Sequence, residues 1–279
     1  MAPGGAGAGP LGIVAGAGRL PRLIVDACKQ AGRPVFVVAL DGFAEPGLVE
    51  GVPHRWVNLA AAAGAFPTLR QAGVGEVVLA GAVRRPSLAE LRPDWRSLRF
   101  LARVAGRALG DDGLLKAVVA EIESEGFRVL SVPDVLAEAT APTGPLGRHV
   151  PDVEARSDIA RGIAVAVALG AADVGQAVVV QQGIVLGVEA VEGTDALLAR
   201  CAALRRAGPG GDLVKIAKPG QERRADLPTI GPETVRNAAA AGLRGVAIEA
   251  GATLVVDAGL VAQAADQLGV FVIGVDRDG

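Results

Sequence analysis

The feature that most constrains the fold is a repeated alternation of short apolar runs with helix-forming stretches. The runs LGIVA, PVFVVAL and EVVLA, at Leu11–Ala15, Pro34–Leu40 and Glu76–Ala80, are too short for buried helices and rich in β-branched residues. Helices are predicted between them, at Leu20–Ala31 and Ala60–Ala72. Strands that alternate with helices form parallel sheets with crossover connections. The pattern therefore predicts an α/β fold with an N-terminal parallel sheet.

The second half of the chain contains the same kinds of element in another order. A stretch rich in Pro and Gly that lacks apolar periodicity, Ala141–Pro151, predicts a boundary between domains at residues 1–140 and 141–279. Beyond it, two apolar runs turn at Gln182-Gly183, which is typical of an antiparallel hairpin. A helix is predicted at Pro232–Ala241. We therefore expect the second domain to be a mixed α/β domain.

Composition excludes several classes of function. The formal net charge of −2 is unlike the basic surface that nucleic-acid binding needs, so we expect no nucleic-acid partner. Two His and two Cys lie far apart and lack the spacing of a zinc site. Cys28 and Cys201 are expected to be buried, reduced thiols of a cytoplasmic protein without a signal peptide. The run Val174–Val188 is too short to cross a membrane and is interrupted by Gln and Gly.

The stretch LVKIAKPGQERRADLPTIGPET, at Leu213–Thr234, concentrates charged and hydrogen-bonding groups in an otherwise Ala-, Gly- and Val-rich chain. Its Pro and Gly residues predict a strand, an irregular loop and then a helix that begins near Pro232. Lys215 and Lys218 are two of only four Lys among 28 basic residues, which suggests a need for a compact ammonium group. The stretch is therefore a candidate anion site, with a solvated surface loop as the alternative.

The turn GAGRLP follows the first predicted strand. Gly16 and Gly18 would let a phosphate approach the backbone at the start of the next helix. The third Gly of a dinucleotide-binding turn is replaced by Pro21, although Asp41 occupies the position of a ribose-binding acid. The rim of the sheet would also include Gly81–Pro86. We predict a nucleotide site at this rim, with a turn that serves packing alone as the alternative.

A basic amphipathic helix is predicted at Asp94–Leu109. Its Arg96, Arg99, Arg103 and Arg107 recur at helical spacing, which suits contact with anionic lipid headgroups. A solvated helix face is the alternative interpretation. Asp112 is predicted to cap the helix that follows.

Carboxylates near the ends of predicted elements are the remaining candidates for chemistry. Such oxygen ligands bind Mg²⁺ or Mn²⁺, and Lys or Arg beside them are the usual partners of a phosphoryl group. The residues are Asp111, Asp112, Glu189, Glu192, Asp195, Glu222 and Asp226.

Motifs along nearly the whole chain, from Leu11 to Asp276, resemble the LpxI family, the UDP-2,3-diacylglucosamine pyrophosphatases of lipid A biosynthesis. The most specific are the EGTDALL string at Glu192–Leu198 and the KPGQERRADLPTIG string at Lys218–Gly231. Further strings that carry the resemblance are LGIVAGAGRLP, GAVRRPS, GDDGLL, EGFRVL, AGLRGVAIEAG and ADQLGVFVIGVD.

The resemblance implies a hydrolase with a Rossmann-like first domain, a second α/β domain and a substrate cleft between them. Water would attack the α-phosphorus of the UDP diphosphate and release UMP and 2,3-diacylglucosamine 1-phosphate (lipid X), with Mg²⁺ required and Mn²⁺ as a substitute. The expected location is the cytoplasm, peripheral to the inner membrane, and a homodimer is left open.

The resemblance also implies that Asp226 is essential for activity. On chemical grounds we expect Asp226 to bind metal or activate water, Lys215 and Lys218 to stabilise charge on the diphosphate, and Asp111 or Asp112 to assist the metal. The substrate-binding residues expected are Gly16, Gly18, Arg19, Leu20, Pro21, Gly81, Arg85, Glu192, Gly193, Thr194, Asp195, Gln221 and Thr229.

Two alternative functions stay open at the level of sequence. The Gly-rich turn with Asp41 is compatible with a nucleotide-dependent oxidoreductase of the Rossmann type. A protein that binds a sugar nucleotide or a lipid without catalysis would also account for the anion-binding features.

Overall fold

The computed structural model describes residues 9–84 and 110–277, and for residues 110–112 it describes the backbone only. The described residues form two compact units. The first contains the described residues as far as Ala137 together with Glu222–Asp226, and the second contains Glu138–Gln221 and the described residues from Leu227. The segment Ala141–Pro151, predicted as a boundary, lies within the second unit, where Gly144–Pro145 form a strand.

The first unit is built on a fully parallel five-stranded sheet with the strand order β3-β2-β1-β4-β5. This confirms the α/β fold and the parallel sheet predicted for the N-terminal half. The strands are β1 (Leu11–Ala15), β2 (Val35–Leu40), β3 (His54–Val57), β4 (Glu76–Ala80) and β5 (Arg128–Leu130). The helices are α1 (Leu20–Gln30), α2 (Phe66–Gln71), α3 (Gly110–Ser124) and α4 (Val132–Val135), with 3₁₀ turns at Pro46–Val49, Leu59–Ala65 and Ala137–Ala139.

Two helix predictions in the first unit are wrong in detail. The predicted helix Ala60–Ala72 is a 3₁₀ segment, Leu59–Ala65, followed by α2. Pro67 causes the break, because its ring would clash with the preceding turn of a continuous helix and it has no N–H to donate. The predicted cap Asp112 lies inside α3, which already includes Gly110. Arg85 and the predicted basic helix Asp94–Leu109 lie outside the described residues.

The second unit is built on a six-stranded mixed sheet with the order β6-β13-β11-β9-β7-β8. The strands β13, β11 and β9 run parallel, and β6, β7 and β8 pair with their neighbours antiparallel. In chain order the strands are β6 (Gly144–Pro145), β7 (Ala177–Gln181), β8 (Ile184–Val188), β9 (Asp212–Lys215), β10 (Thr229–Ile230), β11 (Gly245–Glu249), β12 (Leu254–Val255) and β13 (Phe271–Val275). β10 and β12 form a separate parallel pair.

The helices of the second unit cover both faces of its sheet. α5 (Val153–Ala171) packs on one face against Val178, Val180 and Val214. The helices α6 (Gly193–Cys201), α7 (Pro232–Ala240) and α8 (Ala258–Leu268) pack on the other, where alternate strand residues such as Val179 and Leu213 point. Side chains of a strand alternate between faces, so each strand supplies both cores. The central residues of these strands are consequently apolar, and polar or charged residues such as Asp212 and Lys215 lie at the strand ends.

The hairpin of β7 and β8 confirms the predicted turn at Gln182-Gly183. Both residues have positive φ, 54° and 75°, as a two-residue turn of the primed type requires. Asp158 of α5 accepts hydrogen bonds from the N–H groups of Gln182 (2.9 Å) and Gly183 (2.6 Å), which fixes the turn.

The two cysteines are free and buried, one in each unit, which confirms that they are packed thiols. Burial raises the pKa of both thiols, against the opposing charges of Arg33 near Cys28 and Arg200 near Cys201. Among the described residues no helix combines the length and apolar character that a membrane span needs.

Candidate functional site

The loops that follow β1 and β4 are hydrogen-bonded to each other at the rim of the first sheet. The N–H of Ala17 donates to the carbonyl of Ala82 (2.8 Å), and the N–H of Ala82 donates back (3.0 Å). A Cβ on Gly16 would lie 2.6 Å from the Ala82 carbonyl oxygen, and one on Gly81 would lie 2.6 Å from the Ala17 oxygen. Gly16 and Gly81 therefore permit the close approach of these loops, which is the packing role that the sequence left open as the alternative.

Gly18 differs from Gly16 because the space around it is open. It has a φ of +88°, and no atom lies within 4 Å of the position of an added Cβ. It directly precedes the exposed Arg19 and the N-terminus of α1, whose first turn has no acidic residue. Leu20 and Pro21 are buried in the core of the unit. The backbone at Gly18 and Arg19 is thus the part of the predicted nucleotide turn that a phosphate can approach.

Lys215 ends β9 and is almost fully buried, with 7% of its surface exposed. Its ammonium group donates to the hydroxyl of Thr194 (2.9 Å) and to the backbone carbonyl of Thr229 (3.0 Å). Three predicted residues from two separate stretches of the sequence are therefore brought together at one place. A buried cation needs such partners, because burial without them is costly.

The hydroxyl of Thr194 is oriented by Glu189. It donates its one proton to the Glu189 carboxylate (2.5 Å) and accepts from Lys215, so it acts as an acceptor toward any further group. The other Glu189 oxygen accepts from the N–H of Gln176 (3.2 Å). Glu189 is buried directly after β8. We infer that Thr194 positions the Lys215 ammonium group, because its hydroxyl has no second proton to donate to an anionic ligand.

The remaining residues of the EGTD string point elsewhere. Glu192 pairs with Arg200 (3.0 Å), and hydrogen bonds from its own backbone and from Arg200 lower its pKa. Gly193 begins α6 with a φ of 81°. Asp195 is exposed and accepts from Asn237 on α7 (2.9 Å). The string therefore divides into an inward Thr194 and outward acidic residues.

Lys218 and Gln221 hold the first part of the irregular loop. The Lys218 ammonium pairs with Asp173 (2.6 Å), and the Lys218 N–H donates to the side-chain oxygen of Gln221 (2.8 Å). The buried Gln221 in turn donates to Gln176 (3.3 Å). This geometry gives both residues a structural task at the start of the loop, and their predicted contacts with substrate stay predictions.

Asp226 closes a short turn, Glu222–Asp226, that packs with the first unit. Its N–H donates to the Glu222 carbonyl (2.9 Å), and its side chain is half-buried. Arg224 holds both oxygens of Glu222 (2.8 Å each) and donates to Glu123 of α3 (2.7 Å). The hydrogen bonds from Arg224, helped by the charge of Lys116, lower the pKa of Glu222. Asp226 is therefore held in a tightly bonded turn.

Four charged residues mark the edge of the second sheet at which β8, β9, β11 and β13 end. In strand order they are Glu189, Lys215, Glu249 and Arg277, with alternating sign; we name them the edge row. Glu249 is 7% exposed and accepts from the N–H of Ala217 (2.9 Å) and from Arg277 (2.8 Å). The sequence analysis did not identify Glu249 or Arg277. A charged residue at the end of an apolar strand, as Glu249 is, or shortly after one, as Arg277 is, could have indicated them.

The predicted metal ligands can be tested in part. Among the residues whose side chains are described, no group of three or more His, Cys, Asp or Glu is placed to hold a metal ion. The side chains of Asp111 and Asp112 lie outside the description. Magnesium commonly uses one or two carboxylates together with phosphate oxygens. The half-buried Asp226 carboxylate fits such a ligand.

Comparison with known proteins gives a consistent result over both units. The family model described as the LpxI N-terminal domain matches residues 10–139, and the one described as the LpxI C-terminal domain matches residues 142–273. The protein named UDP-2,3-diacylglucosamine pyrophosphatase LpxI from Caulobacter vibrioides is 44% identical over 273 residues, which cover 95% of this chain and 97% of that protein.

Proposed function

The chain belongs to the LpxI family, and we propose on that basis that it is a UDP-2,3-diacylglucosamine pyrophosphatase of lipid A biosynthesis. It is a hydrolase that acts on a diphosphate bond. The single observation that carries this function is 44% identity with a protein of that name over nearly the full length of both chains. A nicotinamide-dependent oxidoreductase is disfavoured, because Gly16 serves loop packing and Pro21 is buried where a dinucleotide turn has its third Gly.

For the chemistry we propose that water attacks the α-phosphorus of the UDP group. The new bond joins the water oxygen to that phosphorus, and the bond to the bridging oxygen breaks. The sugar 1-phosphate leaves with the bridging oxygen and UMP is the other product. Asp226 is the group we assign to orienting the water and accepting its proton, since it is a half-buried carboxylate fixed at the end of a bonded turn.

We assign Lys215 to stabilising the negative charge of the diphosphate. Support comes from its burial at the end of β9 and from its hydrogen bonds to the Thr194 hydroxyl and the Thr229 carbonyl, which orient the ammonium group. Lys218 is assigned a weaker contribution, because its ammonium group already pairs with Asp173. For the uridine diphosphate we propose the backbone at Gly18 and Arg19 as a phosphate contact.

Magnesium dependence is part of the proposal. Asp226 would supply one ligand, Asp111 or Asp112 of α3 are the candidates for a second, and the substrate phosphates would complete the set. Bound there, the ion would withdraw charge from the phosphoryl oxygens. The half-buried carboxylate of Asp226 supports this assignment.

We also propose that the enzyme works in the cytoplasm at the inner-membrane surface. The substrate class carries two acyl chains, which favour a bilayer. The sequence at residues 94–109 also includes four Arg at helical spacing. Co-sedimentation with vesicles that contain anionic lipid tests the association. Sedimentation analysis without lipid tests whether the enzyme is a homodimer.

The decisive experiment is hydrolysis of UDP-2,3-diacylglucosamine in water enriched in heavy oxygen. Attack at the α-phosphorus places the label in UMP. Label in the sugar phosphate would contradict the proposed site of attack, and absence of any UMP release by the folded protein with Mg²⁺ would contradict the function itself.

A further inference from the structure

The loop between Ala217 and Thr229, which contains Asp226, begins at a peptide unit whose N–H and C=O groups are both hydrogen-bonded by charged side chains. The N–H of Ala217 donates to the Glu249 carboxylate (2.9 Å), and the carbonyl of Ala217 accepts from the Arg277 guanidinium. Arg277 also pairs with the same Glu249 oxygen (2.8 Å). These three groups form a closed set of hydrogen bonds among one peptide, one carboxylate and one guanidinium.

The arrangement follows from the sheet. The strands β9, β11 and β13 are parallel neighbours, so their carboxyl ends meet at one edge. Ala217, Glu249 and Arg277 lie at those three ends. Charged side chains placed there can reach the backbone of the neighbouring strand end without leaving the edge row.

The other end of the loop is held by the same edge row. The Lys215 ammonium group donates to the carbonyl of Thr229, where β10 begins. Residues 217 and 229 are therefore both fastened by charged side chains from one sheet edge, and Asp226 lies between them. The loop residues between these ends lie outside helices and strands. The two ends, together with the contacts of Lys218, Gln221 and Arg224 described above, therefore limit the conformations of the loop.

We propose that Glu249 and Arg277 are positioning residues for hydrolysis, acting through the Ala217 peptide to fix the loop that carries Asp226. The inference rests on the proposed function, since it assigns a purpose to that loop. We assign neither residue a contact with the reacting atoms. A loop released at Ala217 would misplace the carboxylate, and small misplacements of a reacting group can lower the rate by about 100-fold.

The test uses the full chain with four variants. Arg277→Met removes the guanidinium, Arg277→Lys restores a cation, and Glu249→Gln keeps an acceptor for Ala217 but weakens the ion pair. The matched control is Arg236→Met, which breaks the exposed pair of Arg236 with Glu233 on α7. The Arg277 side chain is 26% exposed, so replacing it with Met is suited to leave the unit folded.

Two readouts are measured on each variant. The first is kcat and KM for UDP-2,3-diacylglucosamine. The second is the rate of tryptic cleavage after the exposed Arg223, followed by mass spectrometry without substrate. We expect Arg277→Met to lower kcat about 10- to 100-fold with KM changed less than about threefold, and to accelerate that cleavage. Arg277→Lys should partly restore both kcat and resistance to cleavage after Arg223. Arg236→Met should match the wild type in both measurements.

The outcomes separate this inference from the function on which it rests. Wild-type kcat and cleavage rate in Arg277→Met would overturn it, as would a lower kcat without faster cleavage after Arg223. If the wild type releases no UMP, the proposed function fails, while the cleavage rates still report whether Arg277 holds the loop. If Glu249→Gln does not fold, the two Arg277 variants decide.

Discussion

At the scale of single residues, proton positions decide what a side chain can do. Lys215, Thr194 and Glu189 form a chain of hydrogen bonds in which the Thr194 hydroxyl accepts from Lys215 and donates its only proton to Glu189. A motif match identifies Thr194 as important but does not show whether it contacts the ligand or supports Lys215. The structure favours the support, because the hydroxyl has only one proton and Glu189 receives it.

The first prediction at this scale concerns Asp226. Asp226→Ala and Asp226→Asn should each lower kcat by about 100- to 10,000-fold, because the group assigned to accept the water proton is lost. The free energy of unfolding measured in urea should stay within about 0.5 kcal/mol of the wild-type value, because Asp226 is a half-buried loop residue. Release of UMP at the wild-type rate by either variant would refute the assignment.

The second prediction concerns the support of Lys215. Thr194→Val should destabilise the protein by about 1–3 kcal/mol, because it removes one hydrogen-bond partner from each of two buried charged groups. Thr194→Ser keeps the hydroxyl and should lose far less. The free energy of unfolding in urea measures both, and equal stability of the two variants would contradict the role given to the hydroxyl.

The third prediction concerns Asp212, which begins β9 and is fully buried. Burial raises its pKa to about 7, with Asp158 and Asp152 adding to the effect and Arg244, 3.5 Å away, opposing it. Around it, Arg244 also pairs with Asp152, Glu154 and Asp158 of the α5 segment. Both Asp212 oxygens lack a hydrogen-bond partner in the structure.

The sign of the resulting pH dependence follows from linkage. The folded state holds the Asp212 proton up to about pH 7, whereas the unfolded chain releases it near its ordinary pKa, so this group's contribution to stability falls as pH rises toward 7. Between pH 5 and pH 8 the loss should be roughly 2–3 kcal/mol. Asp212→Asn should remove that part of the slope, whereas Asp26→Asn at the surface should retain it. Urea unfolding at both pH values is the measurement, and parallel slopes for wild type and Asp212→Asn would contradict it.

At the scale of elements, close helix–sheet contact depends on a single glycine. A Cβ on Gly162 of α5 would lie 2.4 Å from a methyl group of Val214 on β9. Val214 is buried and β-branched, so it cannot rotate away cheaply. The distance between α5 and the sheet is therefore set at this position, which helical periodicity alone cannot show.

The fourth prediction follows from that contact. Gly162→Ala should destabilise the protein by about 1–3 kcal/mol through overpacking, despite the better helix propensity of Ala. Gly259→Ala in α8 is the control, because no atom lies near its added Cβ, and it should be neutral or stabilising. Thermal unfolding of the two variants is the measurement. A stabilised Gly162→Ala would show that α5 can shift freely.

At the scale of the whole molecule, the family, the α/β class and the order of most elements were accessible from sequence. β1 and β4 have the predicted bounds, and the helix after Gly231 begins at Pro232 as expected. These features are local: apolar runs, a capping position and turn residues each act within a few residues. The predicted helix at residues 60–72 is divided at Pro67, because a proline inside a helix interrupts its hydrogen bonds.

The fifth prediction belongs to the whole enzyme. Removal of divalent cations with EDTA should abolish release of UMP, and added Mg²⁺ should restore it, because the proposed site combines a carboxylate with phosphate oxygens. The thermal unfolding temperature without substrate should change little. Full activity after exhaustive chelation would contradict the metal requirement, while leaving the family assignment intact.

The sequence by itself determined the alternation of strands and helices, the hairpin turn and the membership suggested by its motifs, since each depends on neighbours in the chain. Only the tertiary structure decided which strand ends lie side by side, and so brought Glu249 and Arg277 to the Ala217 peptide and Glu189 to Thr194. Strand order is set by packing across the sheet, and residues distant in sequence become partners only once that order exists.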